Sequence, residues 1–224
     1  MPDLEPQQER SRATRRRILM AVNHLLRGRS FESLSVQEIA SAAKCSIGAF
    51  YGRFRGRDEL LEPLLDRHQR GVVRSLRRFV ADPAWHEMTL LERLEWIARM
   101  DAHILRSRRW LIRALAVYVR KDGVRLNEKQ SQLSLQMTEQ ARALLQDWAD
   151  RIGHADKRAA IDFALFMIAT LCRERVLFGE LSERAWIPEG DEALVKEVAR
   201  AAYLYLTCGA VPEGADSARD SEKA

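Results

Sequence analysis

The sequence predicts an all-α fold. Three observations carry that reading. Hydrophobic residues make up 46% of the 224 residues, enough for a packed core, and Leu and Ala abound. Only 5 Thr and 11 Gly occur, a balance that favours helix over sheet. Apolar residues recur every three to four positions along most of the chain. The length suits one large domain or two modest ones. The longest nearly charge-free apolar run, 163–172, is 10 residues against the ~20 that a membrane span requires. Asp3, Glu5 and Glu9 stand where a secretory leader would be apolar. The odd, scattered Cys45, Cys172 and Cys208 make no disulfide framework, so a cytoplasmic location is expected.

Elements follow in order. Residues 1–10 read as disordered. Ser11 is placed to cap a helix with Thr14, Ile18, Ala21, Val22 and Leu25 inside, ending near Gly28 and Ser30. Ser35 with Glu38 forms a capping box before Val36, Ile39, Ala40 and Ala43. Lys44-Cys45 breaks that pattern, and Ser46 caps a second short helix through Phe54. A long helix starts after Gly56, and Pro63 predicts a kink near residues 59–63. Asp82-Pro83 breaks the chain, and Thr89 with Glu92 opens a helix through Ile104. Further helices are expected over 110–121, from Leu126 to Ile152, from Asp156 to about Phe178, and over 191–207. A loop with Trp186 and Pro188 precedes the last of these, and a polar, frayed tail follows it.

Charge is unevenly distributed. Residues 1–57 hold 11 Lys and Arg against 5 Asp and Glu, whereas the remainder is nearly neutral. A basic head on a neutral body suggests a polyanion-binding module, with a merely solvated basic face as the alternative. Arg12, Arg15, Arg16 and Arg17 crowd the first helix, where cations oppose the macrodipole and an outside anion would offset them. Two short helices joined by a tight turn behind a longer one make a helix-turn-helix.

Four linked segments carry a resemblance: Thr14-Arg15-x-x-Ile18-Leu19, Ser35-Val36-x-x-Ile39-Ala40-x-x-Ala43, Ser46-x-Gly48-x-Phe50-Tyr51-x-x-Phe54, and Arg57-Asp58-Glu59-Leu60-Leu61. Together they are similar to the DNA-binding domain of the TetR family of bacterial transcriptional regulators, over about 50 residues. Lys44 stands where that family usually has the turn glycine, and Ser30 where it has the glycine after the first helix. Arg53 replaces an aromatic or histidine, Arg57 a lysine, and Gly52 leaves the position after Tyr51 bare.

The resemblance implies a DNA-binding head at 1–57, an effector-binding and dimerisation domain at 58–211, and a disordered tail at 212–224. Small Gly48, Ala49 and Gly52 allow close approach to a groove ~12 Å wide. Ser35, Ser46, Tyr51, Arg53, Arg55 and Arg57 are the phosphate candidates, and solvated surface charge is the alternative for each arginine. Ile47, Lys44 and Arg53 are the candidates for reading bases. Arg12, Arg15 and Arg16 are within the head's reach of a phosphate or the minor groove.

In the second domain, Trp96, Met100, His103, Tyr118, Met137, Phe166 and Thr170 are candidates for a ligand cavity, or ordinary core. The effector expected there is small and largely apolar. The last two helices form the dimer interface by resemblance, with Leu194, Val195, Val198, Ala201, Ala202 and Tyr205 as its stripe. The function expected is a homodimeric repressor on a pseudo-palindromic double-stranded operator, with Pro63 in the lever helix. The other reading, kept open by Lys44 and Gly52, is a helical small-molecule or lipid-binding protein with a degenerate head. No metal-ligand spacing among the five histidines, no cofactor motif and no nucleophile constellation recommends catalysis.

Overall fold

The structure, a computed structural model, describes residues 4–121, 125–179 and 190–208, with side chains from Gln8 onward. Those residues form α-helices, short 3-10 turns and no strand. The head comprises α1 (Leu4–Leu25), α2 (Val36–Ala42) and α3 (Ile47–Tyr51). The body comprises α4 (Leu61–Val80), α5 (Pro83–Glu87), α6 (Leu90–Ser107), α7 (Arg109–Tyr118), α8 (Glu128–Ala143), α9 (Lys157–Arg173) and α10 (Asp191–Cys208). The tail at 212–224, the loop around Trp186 and Pro188, and Gly123 lie outside the described residues.

Local chemistry sets most boundaries. Thr89 and Glu92 close the expected capping box on α6, and Asp156 caps α9 through the Ala159 N–H. Asn127 with Gln130 forms a third box on α8, which the sequence reading missed. Such caps stabilise a helix by about 1 kcal/mol each. Three expectations need correction. The first helix begins at Leu4, not at Ser11, which lies inside it. Pro63 is the third residue of α4, in the first turn, where its missing N–H has no intrahelical partner to lose. The junction there is a 3-10 turn, Asp58–Leu60, rather than a proline kink.

The expected helix to Ile152 stops at Ala143. Trp85 Nε1 (2.9 Å) and Arg93 (3.2 Å) both donate to the Leu144 carbonyl, drawing it away from helical pairing. A 3-10 segment, Gln146–Arg151, follows. The segment expected as helix to Phe178 ends in a π turn, Glu174–Phe178.

Two cores result. In the body, Leu94, Ala98 and Ala102 of α6 pack on Ala164, Ile168 and Cys172 of α9 and on Ala199, Ala202 and Leu206 of α10. The small residues at these crossings let the helix axes approach closely. In the head, Ile18, Val22, Ile39 and Phe50 are fully buried. That core does not stop at residue 57. Leu60, Leu61, Leu64 and Leu65 enter it from the start of α4, and Leu111, Ala114 and Leu115 enter it from α7. The head is therefore seated on two body helices rather than hung from one.

Candidate nucleic-acid interface

The helix-turn-helix is built from its caps. The Ser35 hydroxyl accepts the Glu38 N–H (3.2 Å) and donates to the Glu38 carboxylate (2.8 Å). That carboxylate also takes the Ser35 N–H and an Arg29 guanidinium N–H at 2.7 Å. The Arg29 hydrogen bond, with both Ser35 bonds behind it, holds Glu38 down at about 2. α2 ends at Lys44, whose φ is +51°. Its N–H donates to Ser41 O, and the Cys45 N–H reaches back to Ala40 O, each 3.0 Å. This 5→2, 6→1 pair is a Schellman cap, which requires a left-handed residue where Lys44 stands. The lysine thus adopts the conformation a glycine would take, so the turn is intact despite the substitution.

Ser46 then caps α3, its Oγ accepting the Ala49 N–H at 3.0 Å. Its hydroxyl proton remains available to an outside acceptor, unlike that of Ser35. Phe50 is wholly buried beneath α3, and its ring meets Tyr51 edge-on and Phe54 at a tilt. The opposite face is open. Ser46, Ile47, Gly48, Tyr51 and Gly52 are exposed, Tyr51 by 54%, and Ala49 is half-buried. Lys44 is exposed at the turn beside them.

The three arginines differ in what they already hold. Arg55 is almost fully exposed, 3.7 Å from Glu59. Arg53 donates to the Ala49 carbonyl (2.7 Å) and to Ser11 O of α1 (3.2 Å), fastening α3 to α1. Arg57 donates to the carbonyls of Glu32 (2.8 Å) and Leu34 (2.7 Å) and lies over the Phe31 ring. Its guanidinium supports the chain leading into α2. Arg53 and Arg57 thus have structural partners that spacing could not reveal, because those partners are backbone carbonyls.

The seven ligand candidates are not brought together. Trp96 meets Phe79 (4.2 Å) and Trp85 (5.1 Å) edge-to-face against the body core. Tyr118 packs against the head core, and His103 is exposed. Met100, Met137 and Thr170 are half-buried on three different helices, with Thr170 accepting from Arg173. Phe166 faces outward, 61% exposed. None of the seven lines the cleft of about 920 Å³ that opens between α1, α4 and α8.

The dimer stripe also needs correction. Leu194, Val195, Val198 and Ala202 are buried within their own chain, where α10 packs on α6 and α9. Ala201 is exposed, and Tyr205 is half-buried 5.0 Å from Phe163. The apolar residues left outside are Phe163, Phe166 and Leu171 of α9 and Leu204 of α10. A helix apolar on two sides was legible from composition, but which side meets its own chain was not.

Three features escaped the sequence reading. Arg93, 1% exposed, makes two hydrogen bonds to Asp147 and lies over Trp85 and Trp148. Burial would raise Asp147, yet bonds from Arg93 and His86 hold it below its usual range. Asn127 caps α8. Arg67, Arg70, Arg74 and Arg77 form one stripe on α4 facing the cleft. Their 3-4-3 spacing was the available signal for that face.

A basic head with a capped helix-turn-helix and an open face on its second short helix has the layout of a DNA-reading module. Residues 18–64 match the sequence model of bacterial regulatory proteins, tetR family. No curated protein matches the chain. Among solved structures, a putative TetR-family transcriptional regulator from Mesorhizobium loti is similar at a TM-score of 0.60 and 17% identity, covering 89% of this chain and 98% of that one. The fatty acid degradation regulator FadR from Bacillus halodurans gives 0.59 and 17%, over 86% and 94%. FadR from Bacillus subtilis, in complex with stearoyl-CoA, gives 0.59 and 15%, over 85% and 97%. Residues 18–64 thus carry the sequence pattern of the tetR family of bacterial regulatory proteins, and the chain shares its fold with TetR-family transcriptional regulators over most of its length. No helix among the described residues is long and apolar enough to cross a membrane.

Proposed function

We propose that the chain acts as a homodimeric transcriptional repressor that grips a pseudo-palindromic operator and is released by a small-molecule effector. The exposed face of α3, from Ser46 to Gly52, is the observation that carries this reading. Its small residues let the backbone approach base edges, with Ile47 and Lys44 at the leading end. The Tyr51 and Ser46 hydroxyls and Arg55 address phosphates, fixing register without reading sequence. Arg53 supports the same contacts by holding α3 against α1. The intact turn at Lys44 favours this reading over a degenerate head.

Dimerisation through the outer faces of α9 and α10 fits the residues left exposed there. Phe163, Phe166 and Thr170 recur at i, i+3 and i+7 on α9, and Ala201, Leu204 and Cys208 do so on α10. Two such pairs close into a four-helix packing across a two-fold axis. The dimer would present two α3 helices to half-sites ~34–36 Å apart. Effector binding changes that spacing only through its unequal affinity for the two conformations. α4 and α7 are the connection, since both contribute to the head's core. Regulation by a small molecule is supported by the fold shared with FadR, whose Bacillus subtilis structure holds stearoyl-CoA.

Tyr51→Phe tests the phosphate contact. A hydrogen bond to a charged acceptor contributes about 1.5–3 kcal/mol, so binding weakens roughly tenfold or more, equally on operator and scrambled duplexes. Anisotropy titrations on both measure it. A loss confined to one sequence would overturn the assignment.

A further inference from the structure

We propose that the cleft between α1, α4 and α8 is an effector site for an organic dianion carried on an apolar body. The inference rests on the regulator reading and names the ligand class of that regulator. Two α-helical arginine rows face one another across the cleft. Arg12, Arg15 and Arg16 come from α1, at i, i+3 and i+4; Arg67, Arg70, Arg74 and Arg77 come from α4. Lys129 adds an eighth cation from α8, and among the described residues only Glu62 and Asp66 of the lining oppose them.

Both acids are already engaged. Asp66 pairs with Arg70 and with Lys129, and Glu62 accepts the Asn127 side-chain amide at 2.7 Å. Arg12, Arg16, Arg67, Arg74 and Arg77 have no acidic partner among the described residues. Like charges gathered round a concave surface repel one another and raise the local anion concentration.

The floor is apolar, made by Leu19, Pro63, Val73 and Leu133. The Gln130 side chain borders the same cleft and is 3% exposed. Its Oε1 accepts the Asn127 N–H, while its Nε2 has no hydrogen-bond partner among the described residues. A buried amide donor without an acceptor is costly, and a ligand oxygen would satisfy it. The volume, about 920 Å³, lies within the range of small-molecule sites. A lining of many donors over a greasy floor selects negative charge and an apolar body together.

DNA is the other polyanion the head meets, but the cleft is not simply part of the DNA face. Pro63 and Arg77 are 14 residues apart on α4, about 21 Å at 1.5 Å per residue. The Arg74 and Arg77 end of the cleft therefore lies well along α4 from the end that enters the head's core. The α1 arginines are common to both. A ligand that neutralises them removes charge from the DNA side, so ligand and DNA each weaken the other by the same factor.

The test uses bis-ANS, a fluorescent dianion with two sulfonates on an aromatic body, and the full-length protein. Binding is followed by fluorescence in the wild type, in the Arg74→Glu/Arg77→Glu double variant, in the milder Arg74→Gln, and in Phe166→Asp. Thermal melting checks each fold. The expected result is at least a tenfold loss of affinity in the double variant, a smaller loss in Arg74→Gln, and no change in Phe166→Asp. Sodium pyrophosphate should displace the dye where sodium chloride of equal ionic strength does not. Equal affinity in wild type and double variant, or loss in Phe166→Asp alone, would overturn the proposal by placing the dye on the outer apolar face. A double variant that binds dye normally but loses DNA affinity tenfold would overturn it by making the cleft a DNA surface. Failure of the regulator reading would look different: dye binding that depends on the arginines, with no sequence-selective DNA binding at all.

Discussion

At the scale of single residues, the most informative side chain is Lys44, because its conformation and its chemistry pull in different directions. A left-handed backbone costs an L-residue roughly 1–2 kcal/mol. The Schellman hydrogen bonds to Ser41 and Ala40 hold it there. Lys44→Gly removes that cost and returns about 0.4–1 kcal/mol through the freer unfolded chain. The variant should therefore be more stable by a few tenths to about 1 kcal/mol, read as a higher melting temperature. Its DNA affinity should fall with the loss of one cation. A destabilised Lys44→Gly would contradict the account of the turn. The position was legible from the motif; that the lysine accepts the turn rather than altering it was not, because only the hydrogen bonds around it decide that.

Among elements, caps proved readable and interruptions did not. Ser35, Ser46, Thr89 and Asp156 announced their helices correctly, because an N-cap acts on residues two or three positions away. The end of α8 depends on Trp85 and Arg93, more than fifty positions earlier, and no local pattern contains that. The Arg93–Asp147 pair fastens the Gln146–Arg151 turn to α6. Asp147→Ala leaves a guanidinium that is 1% exposed with carbonyls alone. That should cost about 2–3 kcal/mol, since the carbonyls remain and Asp147 is itself partly exposed. At about 2–4 °C per kcal/mol for a chain of this size, melting should fall by roughly 5–10 °C. An unchanged melting temperature would show that the turn is held by its apolar contacts.

For the whole molecule, the sequence located the head because its charge, caps and motif lie within one short stretch. Its expected dimer stripe falls mostly on side chains buried within the chain, and its expected ligand residues fall on separate helices, because both depend on which helix faces which. Leu194 and Phe166 are equally apolar in a helical pattern, yet one faces α6 and the other solvent. The head's core runs on into α4 and α7, so a shift of either helix reaches the head. In the proposed function, two copies of this chain read a two-fold DNA site through α3. The most direct measurement is selection of binding sites from a random duplex library by the purified protein. The expected result is enrichment of an inverted repeat whose half-sites lie one helical turn apart, ~34–36 Å, and loss of that enrichment in Phe166→Asp. Recovery of no common sequence, or of a single half-site unaffected by Phe166→Asp, would contradict it.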